Sequence, residues 1–490
     1  MLLSELAGRV AGARRLGSQD PEITDLAYDS RRVGPGTLFM ALPGERVDGA
    51  QFVDAAAGAG AVAVLAEREE RLCALPQLVV PDARLAMAEA AGALLGDPAE
   101  SMRLVAVTGT NGKTTTAYLV RHILNATAGR CGMTGTVEYD LGGGTEKAHM
   151  TTPESLDLYR YYARMHEAGC RYAVSEVSSH ALVKGRVAGL DFAAGIFTNL
   201  TQDHLDYHGD MESYFRAKAR LFEGLSSQAA AVINADDPRA ARLAEVCPAR
   251  SLTYGLGEGA ELRGRIMNLS TVGTVFRMTR GEFDAEVHTN LLGAYNVYNA
   301  LAAAGAALEL GVAPGEVVEA IGSFEGVAGR LESVDCGQDF RVLVDYAHTE
   351  DALRSVLEGI RELYPRRVIT VFGCGGDRDS SKRPRMGRAA EDLSEVIVIT
   401  SDNPRSEEPG SIISDILEGL RRPDEAVVVP DRARAIETAV ELAEPGDLVL
   451  IAGKGHETCQ VLGCRRIGFD DREVARGALE ALGAREAGNA

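Results

Sequence analysis

Short apolar runs, many rich in β-branched residues, alternate along this chain with stretches whose apolar positions recur at helical spacing. Runs at 37–42 and 61–65 read as strands between glycine turns, with an alanine-rich helix at 51–57 between them. Residues 104–107 form another strand; the tight turn 109–112 follows, and then a helix carrying Leu119, Val120, Ile123 and Leu124 on one side. Further strands are predicted at 172–177, 193–197 and 229–237, and further helices at 156–166, 214–222 and 291–307. Beyond Gly329 four apolar strands, at 342–345, 368–373, 396–400 and 448–453, leave room for helices between them. Strand and helix in alternation imply doubly wound, mostly parallel sheets, so the fold class is α/β.

A chain of 490 residues is longer than one core serves. The pattern divides it into three domains, 1–100, 101–328 and 329–490.

Within this frame the polar residues collect at strand ends. The stretch L-V-A-V-T-G-T-N-G-K-T-T-T is strand, glycine loop and helix. Such a loop presents backbone N–H groups to an anion at a helix N-terminus; Lys113 adds a point charge and Thr114 or Thr115 a hydroxyl for a magnesium ion. A nucleoside triphosphate suits this geometry. Val107 stands where the common phosphate-loop rule has glycine, so the loop is shortened, and the plain alternative is a turn whose glycines only allow close packing. The strand at 172–177 ends in S-E-V-S-S-H, which puts Glu176, Ser178, Ser179 and His180 at its carboxyl end, and T-N-L-T-Q-D-H-L-D-Y-H follows the strand at 193–197. Glu176, His204 and the Thr114 hydroxyl can build one hard-cation site, magnesium or manganese; the alternative is a polar loop whose histidines cap strands. On the helix at 214–222, Lys218 lies beside Arg216 and Arg220 and reads as part of a solvated basic face. Asn296 and Asn299 share a helix face. Asp29, Ser30 and Arg31 read as turn chemistry. D-Y-A-H-T, G-C-G-G-D-R-D, S-D-N-P-R and A-G-K-G-H-E close the four strands beyond Gly329, as a crevice at the carboxyl edge of one sheet requires.

A net charge of −20 argues against general nucleic-acid or anionic-membrane binding, so phosphate sites must be made locally positive. The eight cysteines form no C-x-x-C pair, which fits reduced thiols, and no stretch reaches the roughly 18 apolar residues of a membrane span. Without a basic leader or export signal at its start, the chain is expected to be cytoplasmic.

Together with the Tyr-x-x-x-Lys helix, N-V-Y-N-A and G-R-L-E, these motifs resemble the Mur ligases, in particular their diaminopimelate-adding branch, over nearly the whole chain. The resemblance implies a uridine-nucleotide domain, a central P-loop ATPase domain and a Rossmann-like domain that receives the amino acid. It implies ATP-dependent amide formation between the D-glutamate carboxyl of UDP-N-acetylmuramoyl-L-alanyl-D-glutamate and meso-diaminopimelate through an acyl phosphate. Peptidoglycan synthesis, cell shape and cell division would depend on it, and the protein would work as a monomer on small molecules. ATP would meet Gly109, Thr110, Asn111, Gly112, Lys113, Thr114, Thr115, Asn296 or Asn299, Arg330 and Asp345. Lys113, Glu176, His204 and Lys218 would be catalytic, Thr114, Glu176 and His204 holding metal with Lys218 as a carbamate. Ser30 and the turn Gly44, Glu45 and Arg46 would meet the uridine nucleotide; Thr151, Thr152, Ser178, Lys184 and Arg186 would meet the muramoyl peptide. Arg378, Asp402, Asn403, Pro404, Arg405, Gly453 and Glu457 would hold diaminopimelate, with Arg405 on its distal carboxylate. Three positions depart from the pattern: Ala50 for histidine, Lys184 for glutamine and Glu350 for proline. The rivals are a lysine-adding ligase, a folate-polyglutamating relative and a nucleotide-binding module without ligase activity.

Overall fold

The computed structural model describes residues 1–44, 47–70, 74–363 and 365–489. Three large sheets carry the chain in sequence order. The first has five strands in the order Arg14–Leu16, Gln77–Val79, Ala61–Ala66, Thr37–Met40 and Asp25–Ala27, parallel except for the first. Leu38, Met40, Ala63 and Leu65 face one core, while Phe39, Ala41, Val64 and Ala66 face another. Burial of both faces explains why these strands read as unbroken apolar runs.

The central sheet has eleven strands, and its middle is parallel: Arg250–Gly255, Ala230–Asn234, Phe192–Phe197, Arg103–Thr108, Tyr172–Glu176 and Cys131–Thr134. From Arg103–Thr108 the chain runs to Cys131–Thr134 and Tyr172–Glu176 on one side, then crosses to Phe192–Phe197 on the other. Loops therefore diverge above Thr108, where an open α/β sheet forms its binding crevice. The antiparallel flanks, Leu262–Ser270 with Gly273–Arg280 and Phe283–Thr289, and Glu138–Asp140 with Thr145–Lys147, have no counterpart in the sequence reading. They are half-exposed and charge-rich, so the apolar signal that marked the inner strands is weak in them.

The third sheet contains all four strands read from the sequence, as Arg341–Asp345, Val368–Phe372, Val396–Ile399 and Leu448–Ala452, with short edges at Glu332–Ser333 and Val427–Val428. Arg432 braces it from a fully buried position. Its Nε and Nη2 donate to the two oxygens of buried Asp471, each at 2.7 Å, and Nη1 and Nη2 reach the carbonyls of Ser401 and Ala452. Arg432→Met strands a carboxylate in the core, so a loss of about 3–5 kcal/mol is expected. Urea unfolding of the full chain measures it; a loss near zero would show that Asp471 is rehydrated in the variant. No described helix is long and apolar enough to cross a membrane.

Candidate active site

The phosphate-loop segment leaves its strand at Thr108 and re-enters a helix, Lys113–Thr127, at Lys113. Gly109 (φ +151°) and Gly112 (φ +83°) are required here: a Cβ would lie 1.8 Å from Thr198 Oγ1 at the first and 2.3 Å from Asn299 Oδ1 at the second. Asn199 fixes the loop, its carbonyl accepting the Thr110 N–H and its Oδ1 the Asn111 N–H, both at 2.9 Å. This narrows the expectation of a loop offering all its amides to an anion, since the Thr110 and Asn111 amides are taken and those of the helix's first turn remain for one. Lys113 Nζ lies across the loop, donating to the carbonyls of Gly109 (3.0 Å) and Thr110 (2.8 Å). Burial lowers its pKa, with Glu176 and Asp203 opposing.

Glu176 faces the helix start. Its Oε2 accepts from Thr114 Oγ1 (3.0 Å) and Thr136 Oγ1 (2.9 Å), and its Oε1 from the Thr136 N–H (2.8 Å). Thr114, Glu176, His204, Arg330 and Asp345 line one cleft of about 570 Å³, together with Thr110, Asn111, Thr115, Thr151, Asn296 and Asn299. His204 has a left-handed backbone (φ +53°) and its Nε2 lies 3.3 Å from Asp203 Oδ2. Burial lowers its pKa against that carboxylate, which favours the neutral imidazole a metal takes. Among the described residues no three His, Cys, Asp or Glu side chains form a metal-binding group. One carboxylate, one hydroxyl and one imidazole on a shared cleft still fit a magnesium ion, which fills its shell with phosphate oxygens and water.

Lys218 corrects the reading of a solvated basic face. Arg216 and Arg220 are exposed, but Lys218, two positions from each and hence on the opposite side of the helix, is 1% exposed. Its Nζ donates to Gly109 O at 2.8 Å and lies 4.6 Å from the centre of the Tyr214 ring. Burial, and then the charge of Lys113, push its pKa well down, so the neutral amine is favoured. It sits behind the phosphate loop and is absent from the cleft lining.

The third sheet reaches this cleft directly. Arg330 Nη2 donates to Thr114 Oγ1 (3.2 Å), and its guanidinium lies 4.7 Å from the Tyr346 ring centre. Burial raises the pKa of Asp345, Arg330 opposing; its carboxylate accepts the N–H groups of Leu331 and Ala347. Asp351, on the helix Glu350–Arg361 that Thr349 caps, accepts from Asn111 Nδ2 (2.7 Å) and Thr201 Oγ1 (2.6 Å). Glu350 occupies the first turn of that helix, where its charge is favourable. Asp351→Ala removes two charge-assisted bonds across the cleft, and a shift of about tenfold or more toward open forms is expected. Small-angle scattering without nucleotide reads this as a larger radius of gyration; an unchanged radius would show that other contacts hold the lobes.

Asn199, Asp351, Asn234, Tyr254 and Tyr298 also line the cleft and were missed from sequence. The polar end of the strand Ala230–Asn234 was the available signal for Asn234; nothing local marks Asp351. Asn296 and Asn299 do share a face, joined by a 2.9 Å bond.

The peptide-side residues form a neighbouring group. Thr152 Oγ1 donates to Glu176 O (2.8 Å) and accepts the Ser178 N–H (3.0 Å), while Arg186 donates to Thr152 O (3.0 Å) and pairs with Glu154 (2.7 Å). Thr151 Oγ1 is 3.1 Å from Thr136 Oγ1, and Lys184 Nζ lies 5.8 Å from the Tyr207 ring centre. Ser30 opens a turn, Ser30–Arg32, capped by Asp29; Gly44 packs against Val47 O, and Ala50 N bonds to Asp48. Glu45 and Arg46 lie outside the described residues. Neither Ser30 nor Gly44 lines the cleft.

The remaining cluster lies in the loops of the third sheet, also apart from the cleft lining. Arg405 (φ +51°) donates Nη1 to Gly376 O at 2.7 Å, and Arg378 lies beside it across Gly375. Asn403 donates to Glu457 Oε2 at 2.9 Å. Gly453 (φ +117°) brings its backbone against Asp402, and Pro404 O closes on Gly376. Burial raises the pKa of Glu457, but the charge of Lys454 and the bonds to Lys454 and Asn403 outweigh it, and the net direction is down.

Comparison with known proteins agrees with this layout. Residues 22–95 match the Mur ligase family catalytic domain, 107–307 the Mur ligase middle domain and 329–455 the Mur ligase glutamate ligase domain. A UDP-N-acetylmuramoyl-L-alanyl-D-glutamate–2,6-diaminopimelate ligase of Solibacter usitatus is 49% identical over 99% of both chains. A solved structure of an enzyme with that name matches with a TM-score of 0.71 and 34% identity, over 98% of this chain and 99% of the other. Mycobacterium tuberculosis folylpolyglutamate synthase shares the fold alone, at 18% identity and a TM-score of 0.61 over 81% of this chain and 95% of the other. With three family domains in order and relatives this similar along its whole length, the chain belongs to the Mur ligase family.

Proposed function

We propose that the protein is an ATP-dependent ligase that joins meso-diaminopimelate to UDP-N-acetylmuramoyl-L-alanyl-D-glutamate, in the cytoplasm and as a monomer, in peptidoglycan precursor synthesis. The supporting observation is a loop cluster that carries both a guanidinium, on Arg405, and a carboxylate, on Glu457: the Arg405 backbone N–H bonds to Val461 O, the Val461 N–H to Asn403 Oδ1, and Asn403 Nδ2 to Glu457 Oε2. A ligand end bearing both a carboxylate and an ammonium complements it. Near-complete alignment with ligases named for diaminopimelate supports the same reading. Lysine carries no distal carboxylate, so the lysine-adding alternative leaves the Arg405 guanidinium no anion to bind and only its bond to Gly376 O.

The D-glutamate carboxylate attacks the γ-phosphorus of ATP, ADP leaves, and the acyl phosphate forms. The free amine of diaminopimelate then adds to the carbonyl carbon, and phosphate departs from the tetrahedral intermediate. Lys113 and the first-turn amides hold charge on the transferring phosphoryl. Arg330 and Asp345 bring the third domain over the cleft, with junctions near residues 100 and 328, and exclude water from the acyl phosphate. Thr114, Glu176 and His204 would hold magnesium, which neutralises phosphate charge. The buried neutral amine of Lys218 is the form that takes up carbon dioxide, in keeping with a carbamate there. Ser30 and residues 44–46 serve the uridine nucleotide, and Thr151, Thr152, Ser178, Lys184 and Arg186 the peptide. Purified protein with ATP and the UDP-muramoyl dipeptide should make one tripeptide per phosphate with meso-diaminopimelate, and far less with lysine. Phosphate release without tripeptide would sink the reading.

A further inference from the structure

Lys454 belongs to no role assigned above, yet it lies at the centre of the Arg405–Glu457 cluster. Its side chain is 0% exposed. Its Nζ donates to Glu457 Oε2 at 2.8 Å and to Asn403 Oδ1 at 3.2 Å. Asn403 closes the triangle, its Nδ2 donating to the same Oε2 at 2.9 Å while its Oδ1 also accepts the Val461 N–H at 2.9 Å. The backbone aims the side chain inward. Gly453 and Gly455 on either side have φ of +117° and +52°, and a Cβ on Gly455 would stand 2.6 Å from Gly329 O. An ammonium is costly to bury, and an apolar side chain fills such a space as well; the charge therefore answers to its partners. Both donors fall on Oε2, which leaves Oε1 for a ligand and fixes the plane of the carboxylate.

We infer that Lys454 is a positioning residue for amino-acid selection: it keeps the Glu457 carboxylate turned so that Oε1 receives the distal ammonium of the incoming diamino acid. It acts through Glu457 and Asn403 and does not itself touch the ligand. The inference rests on the proposed amino-acid site, and a wild-type protein that makes no tripeptide would overturn that reading rather than this one.

The test is steady-state kinetics of the full-length Lys454→Met, Glu457→Gln and doubly substituted proteins, varying each of the three substrates in turn. Lys454→Met should raise the KM for diaminopimelate about tenfold or more, as loss of a charge-assisted contact does, with kcat and the KM for ATP within about threefold. Adding Lys454→Met to Glu457→Gln should cost under about twofold more, because Lys454 acts through the carboxylate that Glu457→Gln has already removed. A KM for diaminopimelate within twofold of wild type, a fall in it, or an equal rise in all three KM values overturns the inference; the fall would mean that Lys454 competes for the ammonium's place. Should Lys454→Met not fold, the doubly substituted protein, in which no charge is stranded, is compared with Glu457→Gln. Equal KM values support the inference, and a further tenfold rise overturns it.

Discussion

Lys113→Met is expected to lower tripeptide synthesis about a thousandfold, the upper range for loss of one preorganised charge at a developing anion. The ammonium lies across the phosphate loop, between the carbonyls of Gly109 and Thr110 and within the field of Glu176. Burial disfavours its charge, so the folded protein gains little stability from it and the melting temperature should not fall. Activity and stability therefore separate, which excludes unfolding as the cause of the loss. Single-turnover measurement of acyl-phosphate formation at saturating ATP is the direct check. A loss under tenfold would move the phosphoryl charge elsewhere, with Arg330 the next cation on the cleft.

Arg405→Ala should reduce kcat/KM for meso-diaminopimelate about a hundredfold, in the range for truncating one partner of a desolvated charge pair, while kcat/KM for lysine changes far less. Arg405 has a left-handed backbone, and alanine has the same difficulty there, so strain is nearly unchanged and the guanidinium alone is tested. The substitution also gives up the 2.7 Å bond to Gly376 O, which places part of the loss in loop order. Lysine as the second substrate corrects for that part, because a disordered loop penalises both amino acids. An unchanged preference would remove Arg405 as the selector.

The sequence by itself determined two inner strands of the first sheet, four of the second and the four long strands of the third, because strands buried on both faces must be apolar throughout, and that pattern is local; Gln77–Val79, Cys131–Thr134 and Arg250–Gly255 were not read from it. It also determined the phosphate loop, whose glycines answer to backbone angles, and the pairing of Asn296 with Asn299, which helical spacing forces. Only the tertiary structure decided the rest. Lys218 looks solvated beside two exposed arginines until the helix is seated and Gly109 lies against it from 109 residues away. Asp351 meets Asn111 across 240 positions, and Asn199 takes up two loop amides from 88 positions on, contacts that no periodicity encodes. Lys454 could be named from its motif but not placed, since its burial depends on glycine turns and on a carboxylate whose orientation it helps to set. Spacing along a chain specifies which side of an element a residue takes, whereas the neighbour waiting on that side is set by the order in which strands join the sheet.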